Sequence, residues 1–228
     1  MIPLRDSTRS NRFPIVTVSL IAINALIYLY QKKLTDATDL QAFMLQYSFI
    51  PTILTNQIRR FSVLGLLHPP LVTSMFLHGD FFHIFFNMLY LWIFGDNIED
   101  RLGRIRFIIF YLLCGVLATG AHYLTDINSA IPLVGASGAI AGVLGAYIIT
   151  FPRARITSII ILIFIITVRE IPAIFYLLIW FFINLYQGLT TSAAGGGTAY
   201  WAHIGGFVAG IVLMKLLDRR EPQEYSEL

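Results

Sequence analysis

The sequence predicts an all-α membrane protein built as a bundle of six transmembrane helices. Of its 228 residues, 57% are hydrophobic and 13% are charged, whereas soluble domains carry about 25% charged residues. The mean hydropathy of +0.72 agrees with this prediction. Six segments are apolar enough to span a bilayer, where backbone groups must be hydrogen-bonded within a helix. The composition therefore excludes a soluble domain, a disordered chain and a nucleic-acid-binding protein.

The six helices are expected where charged residues are rare. Their approximate bounds are 14–31, 81–96, 106–124, 137–151, 171–187 and 199–217. The first lies in a run of 19 uncharged residues, and Lys32 follows that run rather than a small-residue cleavage site. We therefore interpret it as a retained helix and not as a signal peptide. Pro152 ends the fourth helix early, and a short helix suits the middle of a bundle.

Two further apolar stretches do not fit a simple span. Residues 61–77 are uncharged but are broken by Pro69 and Pro70. Such a break favours a re-entrant or interfacial segment, so the first outer loop is expected to be partly embedded. Residues 156–168 form a run that is too short to span comfortably. Because arginines stand at both ends of this run, we expect it to lie on the cytoplasmic surface and return.

The distribution of charge predicts the orientation. With six spans, both termini and the even-numbered loops share one side, which holds 12 of the 16 lysines and arginines. The positive-inside rule places that side in the cytoplasm. We expect a cytoplasmic segment at 1–12, one membrane domain at 13–218 and a cytoplasmic tail at 219–228.

Polar residues inside a membrane are costly and are candidates for function. The first cluster of them is Gly135-Ala136-Ser137-Gly138, at the start of the fourth helix. Ser137 could be a simple N-cap. It could also be a nucleophile, because neighbouring backbone N–H groups can bind an oxyanion and glycines let a substrate approach closely.

The second cluster surrounds His203 in the sixth helix. A helical period puts His203, Gly206 and Gly210 on one face. The fourth helix carries a matching stripe of small residues, namely Gly138, Gly142 and Ala146. Faces of this kind let membrane helices approach closely. The sixth helix can therefore pack on the fourth with His203 near Ser137, although a histidine that only bonds a neighbouring helix is the simpler alternative.

The third cluster contains His83 and Asn87, which lie four residues apart on one face of the second helix. These two neutral side chains could stabilise an anion, or they could form interhelical hydrogen bonds. A metal site with His78 is disfavoured, because no further ligands complete it. All three clusters lie near the outer ends of their helices, so we interpret Ser137 and His203 as a catalytic dyad.

These motifs, in this order, resemble those of the rhomboid family of intramembrane serine proteases over about residues 70–215. The matching motifs are GxSG at 135–138, His-x4-His-x3-Asn at His78, His83 and Asn87, Ala202-His203 followed by Gly206 and Gly210, and Glu-x-Arg at Glu99 and Arg101. The resemblance implies that Ser137 is the nucleophile and His203 the general base. It also implies an oxyanion hole formed by the Ser137 backbone N–H with His83 and Asn87.

The other motif residues would be structural in such a protein. They are His78, Gly135, Gly138, Gly206, Gly210, Glu99 and Arg101. Glu99 and Arg101 would bond within the loop after the second helix. The resemblance implies that single-span transmembrane substrates arrive through the lipid bilayer, between the second and fifth helices, and are cut near the outer end of their own helix. The mechanism needs no cofactor, and we expect no metal.

Two positions depart from the family pattern. Many members carry Trp-Arg in the first loop where this sequence has Pro69 and Pro70. Many also place Tyr or Phe four residues after the nucleophile, where it stacks on the catalytic histidine, and here that residue is Ala141. We therefore expect the imidazole of His203 to be held differently.

Two other functions compete with an active protease. One is a catalytically silent rhomboid-like protein that binds transmembrane clients in quality control, although binding alone needs neither Ser137 nor His203. The other is a small transporter, which should carry charged residues at the midplane of its helices. The preferred interpretation is an intramembrane serine endopeptidase, expected in a bacterial cytoplasmic membrane with its active site opening toward the outer side.

Overall fold

The computed structural model describes residues 1–34, 36–60, 68–162, 165–191 and 198–219. Six long helices account for most of this part of the chain, and three short strands form one sheet. The elements in order are β1 (Ile2–Asp6), α1 (Ile15–Lys33), α2 (Ala37–Tyr47), α3 (Pro51–Arg59), α4 (Pro70–Thr73), α5 (Phe81–Leu102), α6 (Arg104–Thr125), α7 (Ser137–Thr150), β2 (Arg155–Leu162), β3 (Ile165–Pro172), α8 (Ala173–Thr190) and α9 (Tyr200–Leu217).

The chain is a multi-pass membrane protein. Among the described residues, four helices are long and apolar enough to cross a bilayer, and these are α1, α6, α8 and α9. The apolar helix α7 has only 14 residues, and α5 has 22 residues that end in charged side chains. Each of the six predicted segments overlaps one of the six long helices, although the fifth was expected to begin at 171 and α8 begins only at Ala173, after β3. That all six cross the membrane stays a prediction.

Helix α7 lies at the centre of the bundle. Every residue from Gly138 to Ile148 is buried, and α7 contacts α5, α6, α8 and α9. At 1.5 Å per residue, a helix of this length spans roughly 21 Å, less than the roughly 30 Å of a hydrocarbon core. Its neighbours cover it on all sides, so a short helix can be accommodated here.

The backbones of α7 and α9 touch. A Cβ atom added at Gly206 would overlap the carbonyl oxygen of Gly138, and one added at Gly210 would overlap that of Gly142. Only glycine fits at these two positions of α9. The close approach predicted from the small-residue stripes is therefore present.

The three-stranded antiparallel sheet contradicts the all-α prediction. Its order is β1-β2-β3, with Ile2 opposite Ile159 and Ile156 opposite Ile171. The run 156–168 does turn back on itself, but as a β-hairpin. Isoleucine, threonine and valine dominate this run, and β-branched side chains favour strands over helices. The residues that complete the sheet lie at the start of the chain, beyond the reach of a local pattern.

Glu99 and Arg101 do not bond within a loop as expected, because α5 continues to Leu102 and both residues lie in its last turn. The buried Glu99 carboxylate accepts hydrogen bonds from the Val16 N–H (3.0 Å) and the Thr17 N–H (2.7 Å), both at the start of α1. The Arg101 Nε lies 2.8 Å from the Asp218 carboxylate, just after α9. These residues therefore join three helices at one end of the bundle.

The long first loop contains helices that we did not predict. Helices α2 and α3 occupy much of it, and Pro70 begins the short α4, a position in the first helical turn that suits proline. That the first loop is partly embedded in the membrane stays a prediction. Residues 61–67 of this loop lie outside the described ranges. All but the first residue of the expected tail also lie outside these ranges.

Replacing Gly206 by alanine should destabilise the protein. The added methyl group meets the Gly138 carbonyl on α7, so the two helices must separate, and overpacking of this kind costs about 1–3 kcal/mol. The matched control is Gly120→Ala on α6, where a Cβ meets nothing within 4 Å. Thermal unfolding in detergent, followed by circular dichroism, should show a lower midpoint for Gly206→Ala only. Equal midpoints for the two variants would contradict the packing argument.

Candidate active site

Ser137 is the first residue of α7, and a glycine turn leads into it. Gly135 has φ +118°, which side-chain-bearing residues rarely adopt. Its N–H donates to the Ser74 carbonyl over 2.9 Å, which ties the turn to the segment before α5. Ser137 itself is half-buried.

His203 lies in the first turn of α9 and faces Ser137. Its Nε2 is 2.8 Å from the Ser137 Oγ, within hydrogen-bond distance. The imidazole is buried, with 9% of the residue exposed. The structure therefore brings together the two residues that the sequence analysis predicted as a pair. A serine hydroxyl beside an imidazole is the arrangement in which a base activates a nucleophile.

Helix α8 contributes a residue to this pair that the sequence analysis missed. The Asn184 Oδ1 lies 2.7 Å from the Nδ1 of His203, and the Trp180 ring lies beside the imidazole with centroids 5.7 Å apart and planes inclined by 33°. Position 141 is a buried alanine on α7, and the aromatic ring beside His203 is that of Trp180 on α8. A lone asparagine in an apolar helix was the available signal.

His83 and Asn87 project from the start of α5 toward the glycine turn. The Asp80 side chain caps this helix by accepting from the His83 N–H over 2.9 Å. A Cβ built on Gly135 would lie 2.6 Å from the His83 Nε2 and 3.7 Å from the Asn87 Nδ2. Within the part of the chain that the structure describes, the buried Asn87 Nδ2 has no hydrogen-bond partner. An amide donor is therefore free beside the turn that carries Ser137.

His78 packs behind His83. The two rings meet edge to face with centroids 5.0 Å apart, and His78 is 1% exposed. Its backbone is held by the side-chain amide of Gln31, which donates to the His78 carbonyl and accepts from the His78 N–H. Burial lowers the pKa of His78 to about 3, so the ring is neutral near pH 7. These contacts fit a structural role in positioning His83.

The donors in this cluster do not form a metal site. Across the described ranges, no three His, Cys, Asp or Glu side chains are placed to share a metal ion. The single cysteine, Cys114, is buried. What the cluster offers instead is a hydroxyl, an imidazole and neutral hydrogen-bond donors around one glycine turn.

The fold and this cluster define a multi-pass helical membrane protein with a paired serine and histidine where two of its central helices begin. Residues 68–220 match the family model of the Rhomboid domain. The chain therefore belongs to the rhomboid family, whose members are generally intramembrane serine proteases.

Individual relatives agree with this assignment. The bovine presenilin-associated rhomboid-like protein, mitochondrial, is 31% identical over 134 residues, which are 57% of this chain and 36% of that protein. The rhomboid protein 1, mitochondrial, of Saccharomyces cerevisiae is 31% identical over 151 residues, 62% of this chain and 40% of its own. YdcA of Bacillus subtilis, which carries a rhomboid protease name, is 37% identical over 82 residues, 34% and 39% of the two chains. The chain thus spans well under half the length of these relatives.

His78 should make the stability of the protein depend on pH. Its folded-state pKa of about 3 lies below the unfolded value near 6.5, so its contribution is complete above pH 6.5 and is lost as the pH falls toward 3. At pH 5, protonation of His78 in the unfolded state has lowered the free energy of unfolding by about 2 kcal/mol. The loss of unfolding free energy between pH 7 and pH 5 should therefore be smaller in His78→Phe by about that amount. Chemical unfolding at the two pH values measures it, and equal losses in both proteins would contradict this role.

Proposed function

We propose that this protein is an intramembrane serine endopeptidase that cleaves transmembrane proteins through a Ser137–His203 dyad. The observation that carries the proposal is the 2.8 Å contact between the Ser137 Oγ and the His203 Nε2. The free Asn87 donor beside the same turn supports it, and so does membership of the rhomboid family. A protein that only binds clients needs neither the contact between Ser137 and His203 nor the Asn87 donor.

The reaction would follow the logic of acyl transfer. The Ser137 Oγ attacks the scissile carbonyl carbon while its proton passes to the His203 Nε2. The oxyanion of the tetrahedral intermediate would accept hydrogen bonds from the Ser137 backbone N–H, His83 and Asn87. His203 then gives its proton to the leaving amine as the C–N bond breaks. A water molecule attacks the resulting ester, loses a proton to His203 and releases the carboxylic acid, and the Ser137 hydroxyl is restored.

Substrates of this enzyme would be single-span membrane proteins that reach the site through the bilayer between α5 and α8. Large apolar side chains on both helices are exposed on the surface of the protein, including Phe82 on α5 (68%) and Phe182 on α8 (58%). A transmembrane segment could pack against such side chains within lipid. Cytoplasmic termini, a site that opens toward the outer side and a bacterial cytoplasmic membrane are also part of this proposal. The orientation rests on the charge distribution of the loops.

The first test is covalent labelling of the purified protein by a fluorophosphonate, which reacts with activated serines. We expect labelling of the wild type and of the control Ser129→Ala, whose hydroxyl lies in an exposed loop and accepts from the Ile131 N–H. Ser137→Ala should not be labelled. Labelling that persists in Ser137→Ala would mean that the nucleophile is wrong. A folded wild type that neither labels nor cleaves a transmembrane substrate in liposomes would favour the client-binding alternative.

Gly135→Ala should reduce turnover without removing the nucleophile. The added Cβ would lie 2.6 Å from the His83 Nε2, and alanine is strained at a φ of +118°, so both His83 and the turn should shift. Loss of one oxyanion donor costs about 10²–10³ in rate. A control beside the same histidine is Gly79→Ala, which has no positive φ and whose Cβ would lie at an ordinary 4.0 Å from the His83 Nδ1. Cleavage rates of a transmembrane substrate in liposomes measure the effect, and full activity in Gly135→Ala would argue against an oxyanion role for His83.

A further inference from the structure

Asn184 is a buried polar residue in the apolar helix α8, and no sequence motif led to it. It is 7% exposed, and its side chain faces the imidazole of His203 on the side away from Ser137. The ring therefore has a partner at each nitrogen. Asn184 lies 2.7 Å from the Nδ1, and Ser137 lies 2.8 Å from the Nε2.

The second hydrogen bond of Asn184 determines which atom of its amide faces the ring. The Nδ2 donates to the Trp180 carbonyl, one turn earlier in α8, over 2.8 Å. Rotating the amide by half a turn would set two oxygens against each other, so the Oδ1 is the atom beside His203. An amide oxygen can only accept a hydrogen bond. The His203 Nδ1 must therefore carry the proton.

This assignment decides the state of the other ring nitrogen. A neutral imidazole with its proton on Nδ1 presents a lone pair at Nε2. That lone pair faces the Ser137 Oγ, where a base must accept the serine proton. A ring with the opposite tautomer could not serve, because its Nε2 would already be protonated.

We propose that Asn184 is a positioning residue that holds His203 in the tautomer and orientation required to activate Ser137. This inference rests on the proposed function and extends it from a dyad to a Ser137–His203–Asn184 relay of hydrogen bonds. Asn184 is bonded to the imidazole and not to the Ser137 hydroxyl, so it would act through His203. The titratable side chains of neighbouring helices that interact electrostatically with His203 are His83 on α5 and His122 on α6.

A second buried asparagine, Asn24, allows a positioning role to be distinguished from the hydrogen bond that an asparagine makes within its own helix. Asn24 in α1 is fully buried and makes the same local bond, from its Nδ2 to the Leu20 carbonyl over 2.7 Å. Its Oδ1 has no hydrogen-bond partner among the described residues. The two asparagines thus share burial and the bond to the preceding turn, and they differ in whether the amide oxygen meets an imidazole.

The experiment measures the rate of fluorophosphonate labelling of the full chain between pH 5 and pH 9. Asn184→Leu keeps similar bulk without an acceptor, so we expect labelling to slow at every pH, by about 10²-fold, as for a misplaced catalytic group. Asn184→Asp keeps an acceptor oxygen and adds a charge that favours the protonated ring. Its labelling should approach the wild-type rate at high pH. On the acidic side, the pH at which labelling falls off should be higher than in the wild type by about one pH unit or more.

The same substitutions at Asn24 provide the control. Asn24→Leu and Asn24→Asp should keep the wild-type pH profile, and the unfolding midpoint of every variant should be recorded in the same buffer. If Asn184→Leu labels like Asn24→Leu, or if Asn184→Asp leaves the acidic limb in place, Asn184 is not a positioning residue. If the wild type labels but Ser137→Ala labels equally, the proposed function itself fails, so the two failures are distinguishable.

Discussion

The contact between the backbones of α7 and α9 is the constraint on which the rest of the structure depends. Apolar helices gain little from hydrophobic burial when lipid is the alternative, so close van der Waals contact must hold them together. Gly206 and Gly210 permit that contact by leaving no side chain between the two backbones. Ser137 and His203 lie in the first turns of these same helices, one on each. The packing that holds the bundle together therefore also determines the distance between the Ser137 hydroxyl and the His203 imidazole.

The opposite end of the bundle is held by charged and polar groups instead. Glu99 accepts from the unpaired N–H groups at the start of α1, where a helix has no partners of its own for them. Asp6 of β1 accepts from the Asn97 amide on α5 and from the Tyr147 hydroxyl on α7. The sheet is thus attached to two of the helices that carry the site. One end of the molecule uses small residues for close approach, and the other uses buried hydrogen bonds for attachment.

The sequence allowed prediction of features that repeat locally, and the missed features depend on distant partners. His203 could be placed near Ser137 because small residues four apart define a helix face. Asn184 could not be assigned, because an asparagine that bonds the preceding turn looks the same as Asn24 until its neighbours are known. The sheet was missed for the same reason, since β2 pairs with residues at the start of the chain. Glu99 was placed in a loop because the second helix was expected to end at about residue 96, whereas α5 continues to Leu102.

The two contacts of His203 arise from helices with different degrees of burial. Helix α7 is buried along almost its whole length, whereas α8 buries only four residues, which are Ala173, Tyr176, Leu177 and Asn184. The distance from Ser137 to His203 therefore depends on the tightly packed seam of α7 and α9. The tautomer of the imidazole depends on the more exposed helix, through a single buried amide. Because Asn184 is the only one of these four residues in the second half of α8, the position of this part of the helix and the protonation pattern of His203 are linked through the same hydrogen bond.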